Sequence, residues 1–189
     1  FLDTETTGID RENDKIIELA VKSVSFEKAS CKIVSIDEVY ESFHDPQEVI
    51  DPKITLLTGI NNKMVDGHFI DWEKIDKIIK KSDLIVAHNA SFDRSFVDKY
   101  SLESSNKIWG CSLNDVDWLS KGFSSSKQEL LCYWHGFYFS AHRAMNDVDA
   151  LIHLLTHVSY ADKRPLIEII KKTEIPDYII FADNFKYDP

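Results

Sequence analysis

Apolar residues in the first part of the chain fall in continuous or alternating runs, the pattern of strands. Phe1-Leu2 leads into Asp3 as the end of a buried strand. Residues 15–26 (KIIELAVKSVSF) and 31–43 (CKIVSIDEVYESF) are dense in β-branched side chains, with Glu27-Lys28-Ala29-Ser30 between them as a hairpin turn. These three runs predict an antiparallel meander, closed by His44-Asp45-Pro46.

The apolar spacing then changes. Residues 52–66, broken by Gly59 and Asn61-Asn62, predict two short helical turns. In residues 71–81, Trp72, Ile75, Ile78 and Ile79 recur at three and four, which marks an amphipathic helix with Asp71 as its N-cap. Residues 83–88 (DLIVAH) are short and continuously apolar, as a buried parallel strand is. A helix follows, with Phe92, Phe96 and Tyr100 four apart, and then a strand at 108–111. Helical stretches are expected at 113–119 and at 126–134, the second capped by Ser126. The last strong helix signal, 142–158, carries the stripe Leu151, Leu154, Leu155 and Val158; a helix at 162–172 and a strand at 178–181 come after it. This order predicts an α/β fold, a mixed sheet flanked by helices, in one domain over residues 1–189. A strand ending at Asp3 should begin before residue 1, and one at 178–181 stops close to the end, so both ends are expected to be cut.

Composition narrows the class. A hydrophobic content of 43% and an aromatic content of 12% argue against disorder. No apolar run reaches membrane-spanning length, and the chain opens on a strand rather than a signal peptide. Three scattered cysteines show no zinc or disulfide spacing, which favours a cytoplasmic setting. The net charge of −10 argues against a long nucleic-acid tract but leaves room for a site that grips one strand end. The lysines at 77, 80 and 81, and at 163, 171 and 172, read as solvated helix faces.

Asp3 and Glu5, two apart on a strand, point to one side, and adjacent carboxylates need a proton or a cation between them. Hard divalent ions such as Mg²⁺ and Mn²⁺ match such oxygen ligands. Acids are common here, however, and the acid-x-acid triplet recurs at Asp115-Val-Asp117 and Asp147-Val-Asp149. Asp93 falls in the first turn of a helix just after a buried strand, where α/β folds place ligand sites. Asp147 stands one turn before Leu151 on the core-facing stripe, where an acid is costly unless paired or metal-bound. His142, about 140° away from Asp147 on a regular helix, shares a site with it only from the loop leading in. Asp149 and the Asp115/Asp117 pair read as incidental. His153 and His157, four apart, lack a third zinc ligand at a typical spacing.

Asp3-Thr-Glu5-Thr-Thr-Gly8, Ala87-His-Asn89-Ala-Ser-Phe92-Asp93 and His142-Arg-Ala-Met-Asn-Asp147 resemble, in order, the three motifs of the DEDDh exonucleases. That family includes the proofreading subunit of bacterial replicative polymerase. The resemblance implies a ribonuclease-H-like fold with a five-stranded mixed sheet. It implies two Mg²⁺ or Mn²⁺ ions held by Asp3, Glu5, Asp93 and Asp147, and His142 as the general base. It implies release of 5′-mononucleotides from the 3′ end of single-stranded DNA, with RNA left open. Thr6, Thr7, Gly8 and Ile9 are expected against the terminal nucleotide, with Asn89 and Phe92 on the far wall. Leu57-Thr58-Gly59-Ile60 resembles a cleft-lining segment that more often reads His-Gly-Ile, so Ile60 joins the expected contacts and Thr58 departs from the form. Expected partners are single-stranded 3′ ends and a DNA polymerase or another replication or repair protein. A non-catalytic module that binds 3′ ends or docks on a polymerase is the alternative.

Overall fold

The computed structural model describes residues 1–161 and 163–174. Strands β1 (Leu2–Thr6), β2 (Ile16–Glu27) and β3 (Lys32–Phe43) form the expected antiparallel meander, in the order β1-β2-β3. Two short strands, β4 (Ile85–Ala87) and β5 (Trp109–Cys111), pair in parallel as a separate ladder. All five strands of the expected sheet are thus present, hydrogen-bonded as three plus two, with β4 lying beside β1. The strand expected at 178–181 lies outside the described residues.

Alternation along β1 and β2 gives the meander two different faces. On one face Leu2, Leu19, Val21 and Tyr40 pack against Ile75, Ile78 and Ile79 of α3 (Trp72–Lys81). Asp71 caps that helix as expected, accepting from the Lys74 amide at 3.0 Å. On the other face Ala20 packs against Ala144 and Val148 of α8 (Ala144–Leu155). Asp3 and Glu5 share that second face, being cross-strand partners of Ala20 and Glu18. α8 therefore roofs the strand that carries both acids.

The remaining helices are α1 (Pro52–Thr58), α2 (Asn62–Val65), α4 (Ala90–Val97), α5 (Leu102–Ser105), α6 (Ser112–Asp115), α7 (Gln128–Trp134) and α9 (Pro165–Thr173). Three expectations change in detail. α4 ends at Val97, and Tyr100 beyond it stacks on Trp72 instead of continuing the helical row, with ring centroids 4.8 Å apart. α6 stops at Asp115, whose carboxylate turns back to accept from the Cys111 amide at 2.6 Å. α7 starts with Lys127 at the N-cap and no side-chain cap bond, so Ser126 does not cap it.

Candidate active site

One oxygen from each of Asp3, Glu5 and Asp147 lies within 4.8 Å of the other two. Among the described residues this is the one group of three or more His, Cys, Asp or Glu side chains so placed. β1 supplies two of the acids by its period of two. α8 supplies the third from its first turn, pinned where the Arg143 amide donates to Asp147 Oδ2 at 3.1 Å. From the other side Gln128 Nε2 of α7 donates to the Asp147 carbonyl at 2.8 Å.

Asp93 sits in the first turn of α4 and is 3% exposed. Its Oδ1 accepts from the Thr4 amide at 3.0 Å and from Thr4 Oγ1 at 2.8 Å. Thr4 lies between Asp3 and Glu5 in sequence, so this bond joins the fourth acid to the strand of the first two. It also satisfies a β1 amide that faces away from β2. Asp93 is not within the trio's oxygen cluster, yet its charge adds to the repulsion at Asp3.

Four carboxylates in a half-buried pocket oppose one another's ionisation. Burial, and then the charges of Asp93, Asp147, Glu5 and Glu18, hold the Asp3 carboxyl well above the usual range. Burial and Asp147 push Glu5 up to about 8. Burial pushes Asp93 up to about 7 against the bonds from Thr4. Burial pushes Asp147 up to about 6, with the Arg143 amide and His142 pulling the other way. An all-oxygen, acidic donor set of this kind fits hard divalent cations.

These folded-state values lie above the ~4 of an unfolded carboxylate, so the folded chain holds more protons than the unfolded one from about pH 4 to 8. Without divalent ions, the stability these protons bring is complete below about pH 4 and is lost as pH rises through the folded values near 6, 7 and 8. In EDTA the melting temperature should be lower at about pH 8.5 than at about pH 5.5, and millimolar Mg²⁺ or Mn²⁺ should restore it only at the higher pH. Equal melting temperatures at both pH values in EDTA would refute the electrostatic picture of the pocket.

His142 lies outside α8, two residues before its first turn, as its sharing of a site requires. Its backbone is left-handed, at φ 62°. The imidazole is partly exposed and its Nε2 lies 4.0 Å from Glu129 Oε1 of α7.

The loop after Glu5 is organised by Asp14. The β1 ladder skips a residue of β2 between Glu5 and Thr6. Asp14 then accepts from Thr7 Oγ1 at 3.0 Å and from the Asp10 amide at 2.7 Å. A Cβ on Gly8 would stand 2.4 Å from the Asp14 carboxylate, so the loop's own packing requires glycine here. Ile9 is 90% exposed at the loop tip. Two expected contacts need correcting. Thr6 is buried and its hydroxyl donates to the Gly8 carbonyl at 2.5 Å. Ile60 is fully buried against Ile17, Ile50 and Val65. Both side chains brace their loops from behind, and near Ile60 the exposed apolar side chains are Leu56 and Leu57. Asn89 occupies the N-cap of α4 without a cap bond, and half-buried Phe92 packs on Phe96 with centroids 5.0 Å apart.

The incidental acids are structural. Asp115 pairs with Lys172 at 2.9 Å, Asp117 accepts from Ser120, and Asp149 pairs with Lys22. His153 and His157 pack edge to face beside Phe137 rather than joining a ligand cluster. Glu18, outside the expected site residues, is 1% exposed and faces Glu5 directly across the β1–β2 ladder. Its signal was present: a lone charge in the apolar run Ile16-Ile-Glu-Leu-Ala-Val21.

The exonuclease family model (RNase_T) matches residues 1–155, from β1 to the end of α8. The chain belongs to the DEDDh-type 3′–5′ exonuclease family. PolC-type DNA polymerase III of Listeria welshimeri is 30% identical over 97% of this chain and 13% of its own length. The Clostridium perfringens protein of that name is 32% identical over 81% of this chain and 10% of its own. This exonuclease domain therefore spans about an eighth or less of those relatives. Among solved structures, exonuclease X in complex with 5′ overhanging duplex DNA superposes with a TM-score of 0.61 at 23% identity, covering 88% of this chain and 97% of that one. E. coli exonuclease I, in a zinc-bound complex with single-stranded DNA, superposes at 0.69 with 19% identity, covering 90% of this chain and 42% of that one. These likenesses bear out the ribonuclease-H-like fold. No helix among the described residues is long and apolar enough to cross a membrane.

Proposed function

We propose that this exonuclease domain removes nucleotides from the 3′ end of single-stranded DNA, with Asp3, Glu5, Asp93 and Asp147 as ligands for two Mg²⁺ or Mn²⁺ ions. The convergence of acids from β1, α4 and α8 carries this reading. When bound, such ions supply Lewis-acid stabilisation of charge on the attacked phosphodiester. The chain's own residues do the rest. Thr4 holds Asp93 against β1, and the Arg143 amide holds Asp147, so the ligand set is positioned before substrate arrives. His142, on a loop at the pocket edge, accepts the proton of the attacking water, a task suited to an imidazole near neutrality. Gly8 and exposed Ile9 offer a close backbone and an apolar surface to the terminal nucleotide, opposite Asn89 and Phe92. The PolC-type relatives support a partnership with a replicative polymerase, and the complexes of the structural neighbours support DNA as the polymer.

The test is a gel of 5′-labelled single-stranded DNA and RNA of matched sequence, with Mg²⁺, Mn²⁺ or EDTA. A ladder shortening from the 3′ end, fastest on DNA and absent in EDTA, is the expected result. Binding without cleavage in either metal would instead favour a module that only holds 3′ ends.

A further inference from the structure

We propose that Glu18 and Arg143 form a buried positioning pair that sets the turn leading into α8 and, through it, the placement of His142 and Asp147. The inference rests on the reading of those two as site residues. Glu18 stands on β2 and is almost wholly buried. Arg143 Nε reaches its two oxygens at 3.1 and 3.2 Å, and Nη2 reaches Oε1 at 2.8 Å. The Ala144 amide donates to Oε2 at 2.8 Å. One carboxylate thus grips both the side chain of the N-cap residue and the first amide of α8, which no side chain within the turn caps. The guanidinium lies over the Phe43 ring, 5.4 Å from its centre, which fixes its plane.

The pair reaches the site through one covalent step to His142 and one hydrogen bond to Asp147. Arg143 follows His142, whose left-handed backbone needs an external constraint to persist. The Arg143 amide is the donor to Asp147 Oδ2. Fixing Arg143 therefore fixes the direction of one neighbour and the hydrogen bond of the other. Pairing also eases a conflict in the sheet. Glu5 and Glu18 are direct cross-strand partners, an arrangement unfavourable for like charges. The arginine fork offsets this repulsion in part: the charge of Glu18 still raises the Glu5 carboxyl, and that of Arg143 lowers it. Removal of one partner from a buried pair leaves a charge uncompensated, whereas removal of both does not.

The experiment compares the wild-type domain with E18Q, R143M and the double variant, reading steady-state cleavage of a labelled oligonucleotide and hydrogen exchange over residues 141–147. Each single change should lower kcat about 10- to 100-fold with KM within about threefold, because the groups displaced act on the reaction rather than on binding. The double variant should lose no more than the worse single variant, since the two residues act as one unit. Exchange at the Arg143, Ala144 and Asp147 amides should quicken about tenfold in each variant while β2 and β3 stay protected. The proposal is overturned by unchanged exchange across 141–147. It is also overturned by losses that multiply in the double variant, or by a displaced pH optimum with the plateau rate intact, which would mark Glu18 as a charge acting on Glu5. If E18Q does not fold, the double variant, with neither charge left unpaired, gives the exchange and kcat values to compare. A wild-type domain that fails to shorten 3′ ends would sink the exonuclease reading, while the exchange data would still decide the pair.

Discussion

Replacing Asp3 with asparagine is expected to lower cleavage by at least about 10³-fold, about 4 kcal/mol on the barrier, while making the metal-free protein more stable. The two effects have one source. Asp3 stands among Asp93, Asp147 and Glu5, and burial with their charges holds its carboxyl far above the ordinary range. In EDTA at mildly alkaline pH an amide of the same shape relieves that repulsion, so the melting temperature should rise by a few degrees, about 1 kcal/mol for a domain of this size. In Mg²⁺ the same amide is a poor ligand and the rise should vanish. Rates and melting curves with and without metal check both halves. A variant that keeps more than a tenth of the activity, or that melts lower in EDTA, would show that Asp3 is not in a metal-poised cluster.

The second large effect is expected at His142. Its φ of 62° belongs to a region that asparagine tolerates better than most residues, so His142→Asn keeps the turn and removes the proposed base. The kcat should fall about 10²- to 10⁴-fold with KM nearly unchanged. The residual rate should climb with pH where the wild type levels off, since solvent hydroxide replaces the missing base. A kcat within threefold of wild type, or a parallel pH profile, would assign His142 to shaping the turn instead.

Much of this was legible before any coordinates. The meander and the amphipathic helix at 72–81 follow from periodicity, because each buries one face against its neighbours, and the strand before Asp93 follows from an unbroken apolar run buried on both faces. Asp3 and Glu5 could be singled out as adjacent carboxylates on one side of a strand, and Asp147 as an acid on a core-facing stripe. What stayed hidden was the support behind them. Glu18 reads as one charge in an apolar strand, and its arginine lies 125 residues away. Thr4 looks like a motif spacer, yet it holds Asp93 across 89 residues. Ile60 and Thr6 resemble cleft residues in sequence, and only packing shows their side chains turned inward. The helix expected at 126–134 is there, but it starts at Gln128 because no side chain caps it at Ser126.

The site's parts are distributed along the chain in a way that matters during synthesis. Asp3 and Glu5 emerge from the ribosome first, Asp93 follows, and Asp147 comes with the turn that satisfies Glu18 only near the end of the family match at residue 155. A nascent chain shorter than this carries three of the four acids and no complete ligand set. On the proposed chemistry the domain is therefore harmless to nucleic acids beside the ribosome until nearly all of it has been made. On the same reading, a chain cut off before residue 142 is left inert rather than partly active.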